Sequence, residues 1–178
     1  MERKHRKRVK QSMLTAALLC ALASVLVAGT ACEPGTYLRI LPRQTTVTTG
    51  ETFTLDIIVE PAPSHAVAGV QFDLSFDSTL LQVENVAAGT FLAGSCNSTF
   101  FRAGTIDNDT GTVSAVVDVV TDPGCAVSAA GTLATVTFTA EETAGTCQLR
   151  LTNTRVGNVA GDSLYSVPYT AIVEVVSP

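Results

Sequence analysis

The sequence contains no tryptophan and only 6% aromatic residues, which removes the broad ring platform that sugar-stacking sites commonly use. Lysine stops at Lys10. Beyond residue 31 the only basic side chains besides histidine are Arg39, Arg43, Arg102, Arg150 and Arg155, set against fifteen carboxylates. Five against fifteen leaves that segment near −10, which argues against nucleic acid or an anionic membrane surface as ligand and favours a basic partner or a neutral polymer. His65 is the one histidine in the segment and lies in a loop marked by Pro61 and Pro63. With no Cys-x-x-Cys pair beside it, a zinc site has no ligand set, and a Ser/His/Asp mechanism would have to depend on that one residue. There is no G-x-S-x-G elbow, no phosphate-cradling glycine loop and no H-E-x-x-H. Asp73 and Asp118 are carboxylates that neighbouring strands could bring together for glycoside hydrolysis, but a shared solvated face accounts for them equally well.

The basic residues missing from the body of the chain are concentrated at its start. Arg3, Lys4, Arg6, Lys7, Arg8 and Lys10 precede an apolar run from Met13 to Ala28, and Gly29-Thr30-Ala31 places small residues before Cys32. This order predicts a signal peptide over 1–31, cleaved before Cys32, and a secreted or surface-attached protein. Two alternatives stay open. The apolar run of about 16 residues is near the lower limit for an uncleaved membrane anchor, and a cysteine directly after the cut is where a lipid would attach. Residues 32–36 are then a short N-terminal segment and 37–178 a single domain.

Within that domain the clearest pattern is Ala68 to Asp77. Val70, Phe72, Leu74 and Phe76 occupy alternate positions, with Gln71, Asp73 and Ser75 between them, the signature of a strand with one buried and one solvated face. Similar runs recur along the chain, punctuated by Gly, Pro, Asp, Asn and Ser, and no helical period is sustained. The expected strands are 37–41 continuing through 45–48, then 52–60, 68–76, 80–87, 98–106, 112–120, 132–140, 147–156 and 169–176. Nine strands of this kind predict an all-β sandwich or jelly roll of two packed sheets. The 23 threonines beyond residue 31 fit the wet faces of those strands.

Four cysteines lie beyond the leader, at 32, 96, 125 and 147, in a compartment that permits disulfides. If Asn108 to Gly111 turns a hairpin, facing residues have numbers adding up to about 219. Cys96 and Cys125 miss that value by about two, close enough for one bulge to bring them opposite, so a Cys96–Cys125 bridge is expected. Cys147 has no obvious partner except Cys32. The turn itself, Asp107-Asn-Asp-Thr-Gly111, superficially resembles a calcium loop, but the sixth position is Thr112 and the twelfth Asp118, where an EF-hand requires Gly and Glu.

Four stretches taken in order resemble the cohesin domains of bacterial scaffolding proteins: Val-Thr-Thr-Gly-Glu-Thr-Phe-Thr-Leu (47–55), Val-Ala-Gly-Val-Gln-Phe-Asp-Leu-Ser-Phe-Asp (67–77) with Leu81 and Val83 after it, Ala-Gly-Thr-Leu-Ala-Thr-Val-Thr-Phe (130–138), and the Val-Pro-Tyr-Thr-Ala-Ile-Val-Glu-Val ending. The resemblance spans residues 37–178. It implies a nine-stranded β-sandwich of jelly-roll topology with no catalytic residues and no cofactor of its own. It also implies a dockerin-bearing partner, expected to carry the calcium and to be a carbohydrate-active enzyme. The family's contact face maps onto Gln71, Asp73 and Ser75, then Arg102, then Ser114, Val116 and Asp118, then Arg150 and Thr152. The alternative reading is a carbohydrate-binding or adhesive sandwich acting directly on polysaccharide.

Overall fold

The computed structural model describes residues 34–178, so the leader expected over 1–31 and the alternative of a lipid on Cys32 lie outside the described residues. Thirteen strands are described in chain order: β1 (Thr36–Leu41), β2 (Gln44–Thr48), β3 (Thr52–Glu60), β4 (Gly69–Ser75), β5 (Leu81–Ala88), β6 (Thr99–Arg102), β7 (Thr105–Asp107), β8 (Thr112–Val120), β9 (Gly131–Ala140), β10 (Gly145–Gly157), β11 (Ser163–Leu164), β12 (Ser166–Pro168) and β13 (Ala171–Val176). They form two sheets. One runs β12-β1-β3-β9-β5, the other β2-β13-β10-β4-β8-β6, with β7 added on β8 and β11 on β10. The chain changes sheet at most of its connections, winding an all-β sandwich of the jelly-roll kind.

The excess over nine strands comes from breaks inside expected ones and from two short strands after β10. Pro42 has no N–H to offer a ladder, and β1 and β2 on either side of it join different sheets. The stretch 98–106 divides at Gly104, whose φ of 81° is open only to glycine at low cost. A Cβ there would also lie 2.5 Å from the Ser114 carbonyl oxygen.

Alternation builds the core. Val70, Phe72, Leu74 and Phe76 are all buried, and from the facing sheet Leu38, Ile40, Leu55, Ile57, Val59, Val136 and Phe138 meet them. Phe138 stacks on Phe53 with centroids 5.5 Å apart and takes the edge of Phe76 at 6.0 Å, geometries that add to plain burial. Fully burying each large apolar side chain contributes roughly 1.5–3 kcal/mol, so the inward half of each strand supplies the cohesion.

The hairpin register is the one read from the sequence: Thr99 faces Val120, Arg102 faces Val117 and Asp107 faces Thr112, all adding up to about 219. Cys96 and Cys125 are bonded just beyond its open end, with Cα atoms 5.9 Å apart. The turn is held by Asp107, whose carboxylate accepts the N–H groups of Asp109 and Thr110, each at 3.0 Å. Asn108 then reaches the other sheet, accepting the Val83 N–H at 2.9 Å and donating to the Val83 carbonyl at 3.1 Å. A side-chain amide thus does the work of a strand partner where the β5·β9 register slips between Val83 and Asn85. His65 is buried and hydrogen-bonded through Nδ1 to Thr36 Oγ1 at 2.8 Å, which ties its loop to β1.

Candidate functional site

The site is the outer face of the sheet that holds β10, β4, β8 and β6. Gln71, Asp73 and Ser75 stand outward on β4, each half-buried by its neighbours, while Val70, Phe72 and Leu74 point to the core. Asp73 sits between two irregularities. The β4·β8 register shifts between Phe72 and Leu74, and the β10·β4 register shifts between Thr152 and Arg155. At each shift a non-glycine residue takes a positive φ, Ala115 at 56° and Asn153 at 49°, a conformation that costs L-residues energy unless the surroundings hold it.

Asp73 is what holds it. Its Oδ1 accepts the Ala115 N–H at 2.7 Å and its Oδ2 accepts from the Asn153 side-chain amide at 2.5 Å. One carboxylate therefore clamps both bulges.

The bulges correct the expected face, because one extra residue exchanges the inside and outside of everything after it. On β8, Val113 is buried and Ser114 exposed, but after Ala115 the order restarts with Val116 buried, Val117 outward, Asp118 buried and Val119 outward. Val116 and Asp118 are thus core-facing, at 1% and 3% exposure. Neither belongs to the outer surface. Burial pushes the Asp118 carboxyl up to about 6 because a charge is poorly solvated there. On β10, Arg150 and Thr152 are exposed as expected, and the extra residue at Asn153 brings Arg155 outward, which simple alternation hides. The Asn itself was the available signal, since Asn tolerates positive φ better than other side chains.

With the registers known, the face resolves into rows across the strands. Arg150 and Ser75 face each other, with Thr112 beyond Ser75; Thr152 faces Asp73; Arg155, Gln71, Val117 and Arg102 form one continuous row; and Gly157, Gly69, Val119 and Phe100 form the next. The glycine pair lowers the floor of that last row, leaving a trough of about 540 Å³. Val117, Val119 and Arg155 contribute to its lining, as do the loops 121–125 and 158–163. The first loop is secured by the Cys96–Cys125 bond, by Ser98 Oγ against Thr121 Oγ1 at 2.6 Å and by Asn97 donating to Asp122 at 3.2 Å. In the second, Asn158 Oδ1 accepts the N–H groups of Ala160 and Asp162, both at 2.9 Å. Val159 at that turn and Phe100 on β6 remain 56% and 55% exposed. Phe100, Val117, Val119, Arg155 and Val159 are the face residues that sequence reasoning missed.

Charge on this face runs against the charge of the chain. Arg102, Arg150 and Arg155 are outward and exposed, Asp118 is turned in, and Asp73 is committed to the bulges. Among the described residues no group of histidine, cysteine and carboxylate side chains is arranged to hold a metal ion.

An open, rigid sheet face that combines hydrogen-bonding, cationic and apolar rows, on a sandwich whose inner faces are fully packed, defines a surface-recognition module. The cohesin domain family matches residues 40–174, and the chain belongs to that family. The fold is similar to that of a type I cohesin in complex with a dockerin from Clostridium thermocellum (13% identity, TM-score 0.66, covering 80% of this chain and 100% of that one). It is similar also to a type II cohesin domain from the cellulosome of Acetivibrio cellulolyticus (20%, 0.63, 79% and 95%) and to a non-cellulosomal cohesin from the archaeon Archaeoglobus fulgidus (16%, 0.59, 81% and 93%). No curated protein sequence matches the chain.

Proposed function

We propose that this protein is a non-catalytic cohesin that binds a dockerin carried by another protein, and that it does so with the outer face of β10, β4, β8 and β6. Family membership over residues 40–174 carries the reading, and a solved cohesin of the same fold is in complex with a dockerin. The residues engaged are Gln71, Ser75, Arg102, Ser114, Arg150 and Thr152 from the expected set, joined by Arg155, Val117, Val119 and Phe100. Asp73 shapes the face rather than offering a free carboxylate. A preformed sheet loses little conformational entropy on binding, so a few central contacts can dominate affinity. The domain needs no cofactor, since calcium belongs to the partner. The partner is a carbohydrate-active enzyme, and the module is exported by its leader, cut before Cys32.

The test is capture from the secretome of the host with and without a calcium chelator, followed by calorimetry with the captured dockerin. Calcium-dependent one-to-one binding supports the reading. Retention of the isolated domain on insoluble polysaccharide, with no protein partner and no effect of chelator, replaces it with direct glycan binding. The mass of the native protein tests the leader, since a chain still beginning at Met1 contradicts cleavage.

A further inference from the structure

Resting on the dockerin reading, we propose that the row Arg155-Gln71-Val117-Arg102 and the trough beside it select the partner by charge. They take an amphipathic dockerin helix that sets two carboxylates on the arginines and an apolar side chain in the trough.

Three observations converge. Arg102 and Arg155 lie at the ends of one ladder row, joined by the pairings Arg102 with Val117, Val117 with Gln71 and Gln71 with Arg155. Both are exposed, and among the described residues neither makes a side-chain hydrogen bond or an ion pair. Arg39, on the opposite sheet, instead donates to Glu60 at 2.7 Å and lies over the ring of Tyr169 at 4.5 Å. The row next to the arginines is glycine-floored, with Val119 and Val159 in the trough's lining and the exposed Phe100 beyond Val119 in the same row. A bound helix can therefore bury apolar surface in the row beside the two cations.

The bulges determine the sign of the face. Without the extra residue at Ala115, Asp118 would stand outward in place of Val117, and without the one at Asn153, Arg155 would turn inward. Each bulge makes the surface more positive. The acidic remainder of the chain opposes an acidic partner at long range. At physiological ionic strength the screening length is about 8 Å, so distant carboxylates fade while the two arginines act on whatever docks against them. Asp122 and Asp162 stand on the trough's loops and each accepts from an asparagine amide, at 3.2 and 3.1 Å; they keep their charge there, so the trough's loop side is acidic while the row Arg155-Gln71-Val117-Arg102 carries arginine as its only charged side chain.

The geometry sets the partner's spacing. Three strand steps of about 4.8 Å place the two arginines roughly 14 Å apart, which is between two and three turns of an α-helix. The complementary helix carries acidic residues at about that separation on one face, with an apolar residue between them.

The test uses a calcium-loaded dockerin scaffold displayed on yeast, with the exposed positions of its contact helix randomised, and selects binders against two baits: the wild-type domain and the R102E/R155E variant, whose fold is checked by thermal melting. The expected result is enrichment of Asp or Glu at two positions two to three turns apart for the wild type, with Lys or Arg replacing them for the variant. Purified wild-type binders should lose affinity for R102E/R155E by on the order of tenfold, and more at low salt than at high salt. Binders that show no charge preference and no loss on reversal overturn this proposal while leaving the dockerin reading intact. If calcium-loaded scaffolds yield no binders to either bait, both fall.

Discussion

The two outer faces of the sandwich are made from the same kinds of strand yet end in opposite states. On the β3·β9 face, Thr52, Thr54 and Asp56 stand opposite Thr139, Thr137 and Thr135. The side chains consume one another: Thr52 and Thr139 hydroxyls meet at 3.2 Å, Thr135 donates to Asp56 at 2.6 Å, and Arg39 at the edge is paired with Glu60. On the β10-β4-β8-β6 face, Asp73 clamps two bulges, Arg102 and Arg155 stand free and glycines open a trough. A face whose polar groups already satisfy each other has little to gain from a partner. A face with unspent donors beside apolar surface has much to gain; both sheets carry two register shifts, and the difference lies in which side chains those registers turn outward.

The largest expected effect comes from the bridge that secures the trough wall. Replacing Cys96 and Cys125 together by serine is expected to destabilise the domain by about 3–4 kcal/mol in the chain-entropy model for a loop of this size, read as a fall in denaturant midpoint. A change under about 1 kcal/mol would show that the loop needs no covalent closure.

The two faces are then compared carboxylate for carboxylate. Asp73→Ala leaves the Ala115 N–H and the Asn153 amide without their acceptor and is expected to cost about 1–3 kcal/mol. It should also raise hydrogen exchange at Ala115. Asp56→Ala removes one threonine partner on the opposite face and is expected to cost about 0.5–1.5 kcal/mol. Equal effects would erase the proposed distinction. Loss of binding in Asp73→Ala should therefore track loss of bulge order, not loss of a charge contact.

A third effect is pH-dependent. The folded-state pKa of Asp118 is raised to about 6 by burial, so the folded chain holds that proton more tightly than the unfolded chain. Its stability contribution is fully present below about pH 4 and is lost as pH rises through about 6. Asp118→Asn is expected to raise stability at pH 7 by on the order of 1–2 kcal/mol and to flatten the profile between pH 4 and 6. Below that window the slope reverses in both proteins, because Asp77 and Asp107, held below their usual range by bonds from Thr79 and Thr110, lose stabilising hydrogen bonds when protonated. Thermal melts across pH 3–8 check both limbs.

Much of this was legible in the residues. Alternation at Val70, Phe72, Leu74 and Phe76 set the core side of β4 and left Gln71, Asp73 and Ser75 outward. A single turn at Asn108–Gly111 located both the hairpin register and the disulfide. The mapping of the family's contact face onto 114, 116 and 118 and onto 150 and 152 failed past Ala115 and stopped short at Asn153, because a period of two carries no memory across an inserted residue. Val116 and Asp118 were therefore placed on the wrong side and Arg155 was overlooked. Nor does the net charge of a chain say where its cations gather. The basic partner expected from −10 gives way, in the proposed contact, to an acidic one because three of the five arginines beyond residue 31 share one face.

The most direct measurement is backbone amide shift mapping of the ¹⁵N-labelled domain during titration with a calcium-loaded dockerin that binds it. The expected perturbations fall at 69–75, 100–102, 114–119 and 150–157, with 52–56 and 135–139 unmoved. Perturbation centred on the threonine rows of β3 and β9, with Gln71, Val117 and Arg155 silent, would contradict the assignment of the bulged sheet as the docking face.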